Sequence, residues 1–217
     1  MIISVLNTKG GVGKSTVAIN LAVAWAAEGY DSLLIDTDED GTSLAWYGRR
    51  EDTSKKLTVV ALPDSQALKK SIKPLLEKHD VIIIDGAPHL REMLIASAWI
   101  SNLVIIPVKP SPNDIWKLEP MLERLKEVTE IRKEGNRPGP VICFLVNENN
   151  DRTRLSKEVT EALSGYDLKV LETRLGARVD YRDSFNQGLA ALEFSNVKAI
   201  SEIYSLFSEV KSILDVN

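Results

Sequence analysis

The sequence predicts a single doubly wound α/β domain, with a mostly parallel sheet and helices on both faces. Three observations carry that prediction. Short Val- and Ile-rich runs recur along the chain, longer stretches of helical period separate them, and the connections between the two are short. The apolar runs are residues 2–6, 32–35, 57–62, 81–84, 103–108, 141–146 and 169–173. Several are continuous and not alternating, as strands covered on both faces of a parallel sheet must be. Between them, residues 15–28, 42–50, 65–78, 91–100, 115–133, 152–163 and 199–214 read as helices. Residues 176–194 have weak periodicity and predict no definite element. In such sheets ligands sit at the carboxyl ends of the strands, so the loops leaving each strand are where chemistry belongs.

A chain of 217 residues fits one domain, at about 150 residues per domain, and we expect residues 1–217 to form it. No repeat, low-complexity tract or long linker interrupts it, and Glu134-Gly135-Asn136-Arg137-Pro138-Gly139-Pro140 reads as a turn-rich connector. Hydrophobic residues at 44% and charged residues at 27% exclude wholesale disorder. A single Cys143 cannot form an internal disulfide or a thiol-based zinc site, which points to a reducing, cytoplasmic setting. No run approaches the roughly 18 apolar residues that span a bilayer, and Met1–Leu6 lacks the basic leader of a signal peptide. With a formal net charge of -4, any nucleic-acid binding would depend on a local basic patch.

The strongest signal follows the first strand: Thr8-Lys9-Gly10-Gly11-Val12-Gly13-Lys14-Ser15-Thr16, with a helix beginning near Ser15. Gly10, Gly11 and Gly13 can adopt positive φ and bring backbone N–H groups, Val12 among them, against phosphate oxygens. The helix N-terminus adds partial positive charge at Ser15 and Thr16. Lys14 would reach the β- and γ-phosphates, and the Ser15 hydroxyl would ligate Mg²⁺. The strict Walker A pattern asks for Gly at position 8; this chain has Thr8, followed by a second lysine, Lys9.

The string Lys-Gly-Gly-Val-Gly-Lys-Ser-Thr resembles the deviant Walker A motif of the ParA/MinD superfamily of P-loop ATPases. The resemblance implies ATP and Mg²⁺ as cofactors, slow ATP hydrolysis, and a nucleotide-dependent homodimer in which Lys9 contacts the nucleotide of the partner subunit. The segment Pro107-Val108-Lys109-Pro110-Ser111-Pro112-Asn113-Asp114 is similar to one in the small, ParF-type proteins that segregate plasmids. That implies no separate N-terminal DNA-binding domain, with Asn147 and the 107–112 loop near the nucleobase.

Two strand ends supply carboxylates. Leu33-Leu34-Ile35-Asp36-Thr37-Asp38 places two carboxylates two residues apart, and resembles the family signature Asp-x-Asp-Pro-Gln with Glu39 and Asp40 in place of Pro and Gln. The resemblance gives Asp38 the hydrolytic water and Asp36 a role through Mg²⁺-bound water. Glu39 and Asp40 must then point outward or meet cations, since like charges in a desolvated site are costly. Val81-Ile82-Ile83-Ile84-Asp85 ends in the Walker B manner, with Asp85 reaching Mg²⁺ directly or through water. His79 reads as a surface residue and His89 as a neighbour of the site, with no metal-ligand spacing between them.

Family resemblance also implies non-specific DNA binding by the ATP-bound dimer, a nucleoid-associated location, and a small centromere-binding or adaptor protein that stimulates hydrolysis. Arg152, Arg154, Arg174, Arg178 and Arg182 are the candidate phosphate contacts, Lys69, Lys70 and Lys73 forming another basic strip; a solvated charged face is the alternative for each. Apolar residues at 203, 206, 207, 210, 213 and 214 follow helical spacing without a Lys/Arg-rich polar face, which predicts packing on the sheet and no membrane anchor. Three functions remain in play: a partition ATPase, a same-fold positioning ATPase with another cargo, and a metabolic P-loop enzyme.

Overall fold

In the computed structural model, which describes residues 1–51, 56–150 and 154–216, every predicted apolar run becomes a strand. These are β1 (Ile2–Val5), β2 (Ser32–Asp36), β3 (Leu57–Ala61), β4 (Val81–Asp85), β5 (Leu103–Val108), β6 (Val141–Asn149) and β7 (Lys169–Gly176). They form one sheet in the order β3-β2-β4-β1-β5-β6-β7. Every pairing is parallel, so "mostly parallel" understates the result. The helices are α1 (Lys14–Ala27), α2 (Thr42–Tyr47), α3 (Ser65–Leu76), α4 (Arg91–Ile100), α5 (Pro112–Trp116), α6 (Glu119–Glu134), α7 (Arg154–Ser164), α8 (Asp180–Asn186) and α9 (Val197–Val216).

Continuous burial on the central strands explains their unbroken Val/Ile content. Side chains alternate between two covered faces. Ile3, Val5, Leu34, Ile83 and Ile105 pack with α1 and α9, while Leu6, Val104, Ile106 and Phe144 pack with α4, α6 and α7. The amphipathic α9 buries Ile203, Leu206, Phe207, Val210 and Ile213 against the sheet, as its spacing predicts. Among the described residues, no helix is long and apolar enough to cross a membrane.

Local expectations differ in several places. The helix expected over 115–133 is two helices, because the chain turns at Lys117–Leu118 and Pro120 starts the second in its first turn. The helix expected over 42–50 ends at Tyr47, the one over 65–78 ends at Leu76, and β6 runs three residues further than expected. The aperiodic stretch 176–194 contains α8 and a 3₁₀ turn (Ala191–Glu193), anchored by buried Tyr181, Ser184 and Ala191. His79 is no free surface residue: its Nδ1 lies 2.6 Å from Asp31 Oδ1, with only 13% of the side chain exposed.

Candidate nucleotide site

Register brings the site together. Asp36 lies beside Asp85 across the β2–β4 pair, Asp85 beside Val5 across β4–β1, and Val5 beside Ile105 across β1–β5. Five strand ends therefore converge on one edge: Asp36, Asp85, the loop after β1, Pro107 and Asn147. Connections leave β1 toward β2 and β5 toward β6, in opposite directions, so the loop after β1 opens at a topological switch point.

That loop is a phosphate cradle by geometry. Gly11 (φ 71°) and Gly13 (φ 95°) occupy left-handed backbone, and Gly13 leads directly into α1. A Cβ on Gly13 would lie 2.0 Å from Asn147 Nδ2, which itself donates to Val12 O at 2.8 Å. A cleft of about 320 Å³ is lined by Gly10, Gly11, Gly13, Lys14, Ser15, Thr16, Asp38, Thr42, Pro88, Glu148 and Phe185. Lys14 is buried there and its Nζ donates to Lys9 O at 3.0 Å. Desolvation lowers its pKa from the usual lysine value, with Asp85 and Asp38 opposing the shift. An ammonium held this way gains when an anion enters.

The carboxylates divide their work. Asp36 is fully buried, and its two oxygens accept the backbone amides of Asp38 (3.1 Å) and Leu44 (2.9 Å). Desolvation raises its pKa, and these amides pull it back down. Asp36 thereby fixes the turn that carries Asp38, one amide on each oxygen, and each oxygen keeps acceptor capacity for the expected Mg²⁺-bound water. Asp38 Oδ1 accepts the Asp40 amide (3.2 Å), its carbonyl accepts the Gly41 amide (3.0 Å), and Gly41 closes the turn at φ 62°. The turn thus forms without Pro-Gln, and Glu39 and Asp40 are exposed.

Asp85 has the oxygen to spare. Ser43 Oγ donates to its Oδ2 at 2.7 Å, while Oδ1 is buried without a well-formed hydrogen bond among the described residues. Burial pushes the carboxyl up to about 7, although the Ser43 and nearby Ser15 hydroxyls ease its ionisation. An orphaned carboxylate oxygen beside Ser15 suits Mg²⁺, which uses one or two protein ligands plus substrate phosphates. Among the described residues, no group of three or more His, Cys, Asp or Glu forms an all-protein metal cage.

Lys9 leaves the loop in the other direction. Its Nζ pairs with Asp114 Oδ1 on α5, which is 4% exposed at the side chain against 38% for Lys9. Asn7 spans the same gap, accepting Lys9 N and donating to Pro107 O, both at 2.9 Å. Neither Asn7 nor Asp114 stood out as a site residue, although Asp114 lies in the Pro-rich segment. Ser43 and Thr37 were also missed; the Thr37 hydroxyl donates to Asp85 O (2.7 Å) and accepts the Ala87 amide (3.0 Å). His89 does adjoin the site, its amide 3.3 Å from Thr8 O and its φ at 61°. Glu148 sits just past Asn147 at φ 52° and pairs with Lys109 Nζ at 2.6 Å on the cleft rim.

The basic cluster is less open than its sequence suggests. Arg178 is clamped by Glu202, whose carboxylate also accepts Tyr181 Oη (2.8 Å) and the Gly176 amide (3.1 Å). These donors outweigh desolvation and hold the Glu202 carboxyl below its usual range. Arg174 donates to Thr160 Oγ1 at 2.8 Å, and Arg182 is exposed. Arg152 lies outside the described residues, and Arg154 begins α7 with its side chain outside them. Lys69, Lys70 and Lys73 are exposed on α3.

A seven-stranded parallel sheet with a Gly-rich loop entering α1 and a Walker B carboxylate defines a P-loop nucleotide-binding protein. Residues 3–191 match the family model described as the CobQ/CobB/MinD/ParA nucleotide binding domain, and the chain belongs to that family. It is 24% identical to the Maintenance of carboxysome distribution protein A of Halothiobacillus neapolitanus, covering 96% of this chain and 95% of that protein. It is 25% identical to the Sporulation initiation inhibitor protein Soj of Bacillus subtilis, covering 94% of each. An ATP complex of a Cyanothece McdA variant shares the fold with a TM-score of 0.81 at 16% identity, over 97% of this chain and 96% of that one. The chain is a ParA/MinD-family ATPase.

Proposed function

We propose that this protein is a positioning ATPase of the partition type, which alternates between a monomer and an ATP-bound sandwich dimer. The observation that carries the proposal is the divergence of two ammonium groups from one loop. Lys14 is buried inside the phosphate cleft, whereas Lys9 reaches outward across the β5 end. A metabolic P-loop enzyme has use for the first and none for the second.

In this reading ATP lies along Gly10–Thr16, with Lys14 on the β- and γ-phosphates. Bound Mg²⁺, held by Ser15 and Asp85, would neutralise charge on the triphosphate. Asp36 fixes the turn, and the turn holds Asp38 where it orients the attacking water. Water adds to the γ-phosphorus as the bond to the β–γ bridging oxygen breaks, releasing ADP and phosphate. Asn147 supports the loop through Val12 and, with Pro107, borders the nucleoside end. Relatives named for chromosome partitioning and for carboxysome distribution support a positioning role, with the cargo set by an adaptor protein. Non-specific DNA is the proposed track, gripped by Arg174, Arg182 and the α3 lysines once dimerisation doubles the local charge.

Mass measurement in solution tests the switch. The wild-type chain is expected to be monomeric with ADP and dimeric with a non-hydrolysable ATP analogue. Lys9→Ala should bind the analogue within about threefold of wild type yet stay monomeric, an interface effect of the size seen when a buried charged anchor is removed. Normal dimerisation by Lys9→Ala would end the cross-subunit reading. DNA retention should require the ATP analogue and fall steeply with salt; its absence under every nucleotide condition would favour the metabolic reading.

A further inference from the structure

We propose that Arg50 is a positioning residue for ATP hydrolysis: it anchors the far end of α2, so that the turn before α2 presents Asp38 to the γ-phosphate. The inference rests on the reading of Asp38 above and adds the anchor that its turn works against.

At its site end α2 is held at one point. Leu44 N donates to Asp36 Oδ2 at 2.9 Å, and Ser43 Oγ donates to Asp85 Oδ2 at 2.7 Å. Bonds from two adjacent residues make a pivot and leave the direction of the helix open. With six residues, α2 is about 9 Å long and too short to bend. A tilt at its far end therefore passes to the turn that carries Asp38. The joint has no slack: Asp38 O accepts Gly41 N at 3.0 Å, and Gly41 O accepts Ala45 N at 2.8 Å.

The far end is gripped by the segment after α8. Trp46 is fully buried, and its Nε1 donates to Leu189 O at 3.0 Å. The Arg50 guanidinium lies over the Trp46 ring, 5.3 Å from the centroid, and donates to Gly188 O at 3.1 Å. Its two terminal nitrogens meet the two Glu193 oxygens at 2.7 and 2.5 Å, with 3% of the arginine side chain exposed. Such a fork fixes direction as well as distance. The approach is so close that a Cβ on Gly188 would lie 2.5 Å from Arg49 C. Glu193 is itself held, accepting Ala190 N at 2.8 Å. Ala191 N then donates to Asn20 Oδ1, and Asn20 Nδ2 to Thr16 O, both at 2.8 Å. Thr16 lines the phosphate cleft. A ring of contacts thus runs from the cradle along α1, through Glu193 and Arg50, and back along α2 to Asp38.

A buried ion pair gains little stability, because desolvation offsets most of the attraction. What this pair supplies is orientation. A misplacement of about 1 Å at a reacting group costs up to about a hundredfold in rate. Nucleotide binding draws on Gly10–Thr16 and does not pass through α2, so the pair should govern turnover and not affinity.

The test is single-turnover hydrolysis of γ-labelled ATP, read per bound nucleotide well below each melting temperature. Arg50→Ala should slow it by at least about tenfold, with affinity for a non-hydrolysable ATP analogue within about twofold of wild type. Arg50→Lys keeps the charge without the fork and should fall between the two. Glu193→Gln should slow hydrolysis as well, and with Arg50→Lys it carries the comparison if Arg50→Ala fails to fold. Arg49→Gln, at the exposed neighbour, should match wild type. Wild-type rates per bound nucleotide in the Arg50 and Glu193 variants overturn the proposal. So does a loss of affinity as large as the loss of rate, which marks a merely structural pair. Added to Asp38→Asn, Arg50→Lys should slow hydrolysis no further, because it acts through Asp38; a further loss overturns the proposal. If Asp38→Asn hydrolyses as wild type does, the reading of Asp38 fails and the anchor falls with it. If Asp38→Asn is slow and Arg50→Lys is not, the anchor alone fails.

Discussion

Raising the pH from 4 to 8 without nucleotide will cost the wild-type fold up to about 4 kcal/mol that an Asp85→Asn chain does not lose. Burial lifts the Asp85 carboxyl from its ordinary 3.8 to about 7. Below both values the acid is neutral in the folded and unfolded chains and contributes nothing. Between them the unfolded chain ionises freely and the folded one does not, so stability falls as pH rises through this window. Above about 7 the full penalty is present. Urea titrations at several pH values would read this directly: the two proteins should agree near pH 4 and diverge by pH 8, with Asp85→Asn the more stable. Parallel curves would mean that Asp85 titrates normally. The same substitution should abolish the extra stabilisation that Mg²⁺ gives to the ATP-bound protein. The site thus stores an instability that its ligand relieves, a familiar trade between activity and stability.

Gly13→Ala should destabilise the chain by about 3–5 kcal/mol and weaken nucleotide binding by more than about a hundredfold. Alanine at φ 95° is strained, and its Cβ would meet Asn147 Nδ2 at 2.0 Å. Asn147 cannot yield cheaply, because moving it breaks the bond to Val12 O and shifts the cradle. Gly10 is the control: its φ is ordinary and a Cβ there meets nothing within 4 Å, so Gly10→Ala should cost less than about 0.5 kcal/mol. Thermal melts and fluorescent-nucleotide titrations of both variants check the contrast. Equal stability for the two would show that the loop relaxes around Gly13.

Much of this fold is legible because its information is local. A run such as Val81–Asp85 declares itself a strand by unbroken apolar content, and Gly10 to Ser15 declares a cradle by residue type and spacing. Short elements hide for the opposite reason. Seven residues of α8 complete barely two turns, so Tyr181 and Ser184 leave no readable period. The break between α5 and α6 falls inside a helical pattern, signalled only by Pro120. Roles set by tertiary pairing are harder still. Nothing near Lys9 announces Asp114, 105 residues away, and nothing near Asp85 announces Ser43. Arg178 shows the reverse error: its composition suggested an open cationic face, and Glu202 on α9 closes it.

The position of β1 has a consequence for synthesis. Ile2 lies beside Ile82 and Ile3 beside Leu103, so β1 is synthesised long before the two strands that flank it. Until Leu103–Val108 emerges, the Gly-rich loop has no floor, and a nascent chain stalled short of it should slip off an ATP resin. Nucleotide capture therefore marks the completion of the sheet's centre, and a translating cell gains no bound ATP from a fragment.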